Sequence, residues 1–213
     1  MTKDELVAFI RSDDDLSYAN SSIYANPSDD DLSDDDLSHA NLCRAHLINA
    51  DLSGADLGAA NLRGANLRGA NLRGANLCGA DFINADLSGT KLEKANLVGA
   101  NLSGADLSGA DLSGANLTCA VLNGAKLINA DLRSADLTGA DLRGADLDRV
   151  RLAGAGLTVA DLTGADLRGA DLRGVKLRGA NLTNALLRWT DLRGAFALDG
   201  VDLTVANVEG GGR

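Results

Sequence analysis

Leucine recurs every five residues. From Leu32 to Leu192, stepping by five, every position is leucine except Phe82. Two residues ahead runs a second apolar series, alanine at 28 of 32 positions from Ala40 to Ala195, with Thr90, Val150, Val175 and Thr190 as the exceptions. The residue between the two is mostly Asp or Asn, and glycine most often stands two after the leucine. On an α-helix, residues five apart fall about 140° apart, so these leucines would circle the helix and form no apolar stripe. In extended chain, alanine and the leucine two later share one side and the Asp/Asn between them takes the other. Each pentad therefore predicts a very short strand followed by a corner, with glycine supplying the backbone angles a corner needs. Coils closed in this way stack about 4.8 Å apart and pair backbone to backbone, leucine and alanine inside. The predicted class is an all-β solenoid.

The repeated "ADLSG", "ANLRG" and "ADLRG" resemble the pentapeptide-repeat family over roughly residues 30–210. The period itself leaves three or four pentads per coil open. The resemblance implies four, hence a right-handed quadrilateral parallel β-helix of about eight to nine coils, a rod of roughly 40 Å at the cross-strand spacing. Representative inward positions are Leu52, Leu72, Phe82, Leu92, Leu112, Leu132, Leu152, Leu172 and Leu192.

The ends of the pattern differ from its middle. At the N-terminus, Thr2 and Glu5 stand at capping-box spacing, followed by Leu6, Val7 and Ile10 on one helical face, which predicts a short capping α-helix over about 3–11. "SDDDLSDDDLS" keeps Leu32 and Leu37 in phase but places Asp30 and Asp35 where alanine is expected. A buried carboxylate without a partner is costly, so the first turn is read as an end where leucines plug the core and aspartates reach solvent. Asp29, Asp30, Asp31, Asp34, Asp35 and Asp36 then form an acidic surface. Calcium would suit clustered carboxylates, yet the D-x-D-x-D-G loop spacing is absent. After Leu192 the leucine series resumes one residue late, at Leu198, and Phe196 falls in the alanine series. Trp189, Phe196 and Leu198 are candidates for a C-terminal cap or a dimer contact, as occurs in some relatives. These signals divide the chain into a cap (1–31), a regular solenoid (32–195) and a register-shifted tail (196–213).

Composition sharpens this picture without adding chemistry. Aromatic residues make up 3% of the chain, so leucine and alanine must build the core. Cys43, Cys78 and Cys119 form neither a CxxC motif nor an even set, and are read as small buried or half-buried residues. His39, Cys43 and His46 lie in different pentads and are assigned no metal. Catalytic, cofactor and metal residues are therefore expected to be none. No basic leader or membrane-length apolar run is read, which makes the expected location cytoplasmic.

The net charge of −10 is uneven: residues 1–60 hold 13 acids against 3 basic residues, and residues 61–213 hold 17 of each. Ten arginines directly follow a leucine, among them Arg63, Arg68 and Arg73, which a four-sided coil places on successive faces. Balanced charge and scarce aromatics argue against direct nucleic-acid binding. The expected function is a non-enzymatic rod that binds a protein partner. The resemblance adds an alternative, since some members imitate duplex DNA, bind type II topoisomerases such as DNA gyrase and protect them from quinolone-type inhibitors.

Overall fold

The computed structural model describes residues 31–196. The N-terminal helix expected over 3–11, Asp29, Asp30 and Leu198 lie outside them. Thirty parallel bridges run along the described chain, each joining a residue to the one twenty positions later, from Asp31↔Asp51 to Lys176↔Phe196. Four pentads therefore make a coil, and the rod has four faces. Face 1 carries Asp31, Asp51 and so on to Asp191; face 2 runs from Asp36 to Phe196; face 3 from Asn41 to Asn181; face 4 from His46 to Leu186.

One pentad shows how the sequence closes this coil. Asp111 N–H donates to the Thr90 carbonyl in the coil before (2.9 Å), and Leu112 and Gly114 donate to Asp131 and Arg133 in the coil after (2.7 and 3.0 Å). Ala115 N–H donates back to the Leu112 carbonyl (3.0 Å) and closes the turn. That leaves the Ser113 N–H, which the backbone does not serve. The Asp111 carboxylate accepts it at 3.0 Å. All five amides are thus satisfied, which buried or half-buried backbone requires. The same side-chain bond recurs at all twenty-five Asp and Asn residues of this column among the described residues. Asp and Asn are chosen here because their short acceptor reaches the amide two residues on.

The third residue of each turn has positive φ, in nineteen glycines and fourteen other residues. Asn49, Asn84 and Asn129 are three of the latter, with φ 57° at each, a conformation that asparagine tolerates better than most residues. Glycine one coil later makes room for two of these corners: a Cβ on Gly69 would collide with Asn49 Oδ1, and one on Gly104 would stand 2.6 Å from Asn84 Oδ1.

Inside, both apolar series are buried from Leu32 through Thr190, apart from Asp35, including Phe82, Val150 and Val175. Thr90 and Thr190 take alanine positions without an orphaned hydroxyl, because each Oγ1 donates to the leucine carbonyl three residues back (2.7 and 2.8 Å). Leu32 and Leu37 are fully buried, and Asp35 in the inward column is half-buried. Leu192, in the last described coil, packs against the core but is only partly buried.

Candidate functional site

The outward columns carry whatever chemistry the rod offers, and their charges follow a local rule. Where Asp precedes the leucine, the arginine after it folds back on that same Asp. Arg133, Arg143, Arg173 and Arg193 each place Nε and Nη2 on the two carboxylate oxygens of Asp131, Asp141, Asp171 and Asp191, at 2.6–2.9 Å. Arg168 does the same with Asp166. Such two-point pairs fix the guanidinium as well as neutralise it.

Where Asn precedes the leucine, there is no carboxylate to close on, and the arginine crosses to a later coil. Arg63 reaches Asp81 (3.0 Å), Arg68 approaches Asp86 (3.9 Å), and Arg73 pairs with Glu93. The asparagines use their own donor between coils: Asn61 Nδ2 donates to Asn41 Oδ1 (3.1 Å), and Asn71 Nδ2 to Asp51 Oδ1 (2.9 Å). Cations within the bridge column also meet their neighbours, as Lys126 does Asp106 (3.8 Å) and Arg151 does Asp131 (3.0 Å).

The clamps lower the pKa values of their aspartates. The hydrogen bond from Arg193 draws Asp191 down to about 2. Asp131, Asp141, Asp166 and Asp171 are lowered chiefly by the bonds from Arg133, Arg143, Arg168 and Arg173. A carboxylate with a depressed folded-state value contributes stability above its unfolded value of about 3.9, and loses it as pH falls through the folded value. The melting temperature is therefore expected to hold from neutral pH to about 5 and to drop between about 4 and 2. Circular dichroism melts check this, and Arg→Gln at 133, 143, 173 and 193 together is expected to flatten the drop.

Several residues singled out from sequence can now be placed. Asp31, Asp34 and Asp36 are exposed at the first described coil. Trp189 is exposed at a positive-φ corner, with the Arg188 guanidinium 4.3 Å from its ring centre. Phe196 is exposed and stands in the outward column bridged to Lys176, whereas the sequence pattern places it in the alanine series. Cys78 and Cys119 are exposed where burial was expected, because the column after the leucine and the corner column both face outward; Cys43 is half-buried. His39 stands at a corner, Cys43 on face 3 and His46 on face 4; among the described residues no group of three or more metal-ligating side chains converges. Two shallow grooves flank face 4, one bounded by Arg44, Arg63 and Asn84, the other by Ile48, Asn49 and Arg68. No helix among the described residues is long and apolar enough to cross a membrane.

A parallel coil of four five-residue sides defines the protein as a quadrilateral β-helical solenoid. Comparison identifies the lineage: the family described as Pentapeptide repeats matches residues 31–64, 60–97, 95–133, 115–154, 155–194 and 170–210. The chain belongs to the pentapeptide-repeat family, and its solenoid is of the right-handed β-helix kind.

HetL, a pentapeptide repeat protein involved in heterocyst differentiation regulation from the cyanobacterium Nostoc sp. strain PCC 7120, is 38% identical over 83% of this chain and 84% of its own, with a TM-score of 0.42. Rfr23 from the cyanobacterium Cyanothece 51142 is 35% identical over 47% of this chain and 62% of its own, with a TM-score of 0.37. A trypsin-treated form of QnrB1, a plasmid-mediated fluoroquinolone resistance protein, is 21% identical over 75% of this chain and 89% of its own, with a TM-score of 0.48. No curated protein matches the chain.

Proposed function

We propose that this protein is a non-enzymatic, rigid rod that recognises a protein partner through its outward side chains. The observation that carries the reading is the contrast between an unvarying ladder and its variable covering. The bridge pattern repeats at every pentad, while the outward columns change from Asp and Asn to Lys, Arg, Val, Leu or Phe. Such a frame holds side chains at fixed spacing and needs little ordering on binding, which is what preorganised recognition requires. The exposure of Trp189 and Phe196 supports a contact near residues 189–196, with a C-terminal cap, a partner or a second copy. A cytoplasmic setting accords with three unpaired thiols.

The net charge of −10 favours a second reading, a mimic of duplex DNA directed at a type II topoisomerase. Mimicry needs uncompensated negative charge along the rod. Here five outward aspartates are closed off by their own arginines. Of the first sixty residues, thirteen are acidic and three basic, so the surplus sits at one end. The two readings separate in a DNA gyrase supercoiling assay titrated with the protein, with and without a fluoroquinolone. The scaffold reading expects unchanged supercoiling and unchanged drug sensitivity up to low micromolar protein. Inhibition of supercoiling, or rescue from the drug, would put topoisomerase binding in its place.

A further inference from the structure

The rule that governs the arginines also identifies two that escape it. Of the ten that directly follow a leucine, five close on their own aspartate and three cross to a later coil. Arg178 and Arg188 remain. They follow Lys176 and Leu186 where Asp or Asn is usual, and neither makes an ion pair among the described residues.

Their surroundings differ. Arg178 lies on face 2 beside Lys176, with Phe196 in the next coil. Arg188 lies on face 4, stacked on the exposed Trp189 ring at 4.3 Å, with the exposed Leu186 two residues before it. A guanidinium resting on an indole is held in place by its face and keeps its hydrogen-bonding edge free. The carboxylate nearest in the bridge column, Asp166, is already occupied by Arg168.

We propose that Leu186, Arg188 and Trp189 form a docking site for an acidic segment of a partner protein. A carboxylate of that segment pairs with the free edge of Arg188, and an adjacent apolar side chain packs on Leu186 and Trp189. The inference rests on the scaffold reading above and assigns it a place on the rod. Charge complementarity favours a peptide over a nucleic acid. One free guanidinium between apolar neighbours suits an isolated carboxylate, whereas a phosphate chain wants a track of cations and several stacking rings. Tryptophan and arginine flanked by apolar surface are also the residues that most often dominate protein contacts.

Trp189 is the sole tryptophan of the chain, so its fluorescence reads the site directly. The probe is a blocked eight-residue peptide alternating glutamate and leucine, compared with a lysine–leucine counterpart and an oligothymidylate. A saturable change is expected with the glutamate peptide alone. Its half-saturation concentration is expected to rise about tenfold or more in Arg188→Gln, the range for losing a charge-assisted bond. The decisive variant is Leu186→Asp. It restores the commonest residue of the column, so the fold should be kept, and it creates the Asp-Leu-Arg sequence that draws the guanidinium inward. Its half-saturation is expected to rise as far as that of Arg188→Gln, while Arg178→Gln leaves it unchanged.

No saturable response to the glutamate peptide, an equal response to the lysine peptide, a stronger one to the oligonucleotide, or wild-type binding by Leu186→Asp would each overturn the assignment. If the titration is silent while the rod still captures a partner through other outward positions, this site falls and the scaffold reading stands. If the rod captures nothing at any position, both fall.

Discussion

Replacing Leu112 with aspartate is expected to open the rod around one coil and to destabilise it by about 4 kcal/mol or more. Leu112 is fully buried, and Leu92 and Leu132 occupy the same column one coil to either side. A carboxylate there has apolar neighbours, and the side chain cannot swing out without breaking the hydrogen bond that the Leu112 N–H donates to the Asp131 carbonyl (2.7 Å). In a solenoid each coil touches only its neighbours, so the damage should stay local. Hydrogen exchange is expected to quicken across residues 92–132 and to remain slow near Leu52 and Leu172. The neighbouring Ser113→Asp, on the outward side, is expected to stay within about 0.5 kcal/mol of the wild type. Equal effects at the two positions would contradict the assigned sidedness.

Phe82→Ala carries the second large expectation, a loss of about 3–5 kcal/mol. Phe82 is the one aromatic residue in the leucine series and is completely buried. Its column neighbours one coil away, Leu62 and Leu102, are held by ladder bonds of 2.7 Å to Asp81 and Val121. Those bonds tie the backbone on both sides and limit how far the coil can collapse onto the vacated space. Phe82→Leu restores the residue used at every other position of the series and is expected to cost less than about 1.5 kcal/mol. Urea titrations of the two variants measure the difference.

Much of this architecture is legible in a period of five. The inward series, the outward polar column and the corners follow from the alternation of an extended chain and from glycine placement, and the bridges and positive-φ residues bear them out. The number of sides is not legible in that way, because three or four pentads close a coil with the same alternation. Family resemblance supplied it, and the twenty-residue offset shows it.

The arginine rule was beyond sequence reading for a related reason. Whether Arg63 finds Asp81 depends on residues eighteen apart, which become neighbours only once the coil length is fixed. The signal itself is present in the difference between "NLR" at 61–73 and "DLR" at 131–193, as is the role of Asp and Asn as acceptors of the turn amide two residues on. Phe196 misled for a different cause. The leucine series restarts late after Leu192, yet Ala195 still packs inward and Phe196 N–H still donates to the Val175 carbonyl (2.9 Å), so the ladder holds its register through that residue.

The central claim is that this rod works by holding a protein partner against its outward columns. Site-directed photocrosslinking tests it most directly. A photoreactive residue is placed in turn at outward positions on each face, among them 48, 98, 123 and 153, and the protein is irradiated in extract of the organism that encodes it. The account predicts a discrete covalent adduct with the same protein from one face and none when a buried position such as 112 carries the label. Adducts absent from every outward position, or spread evenly over all four faces without a common partner, would contradict it.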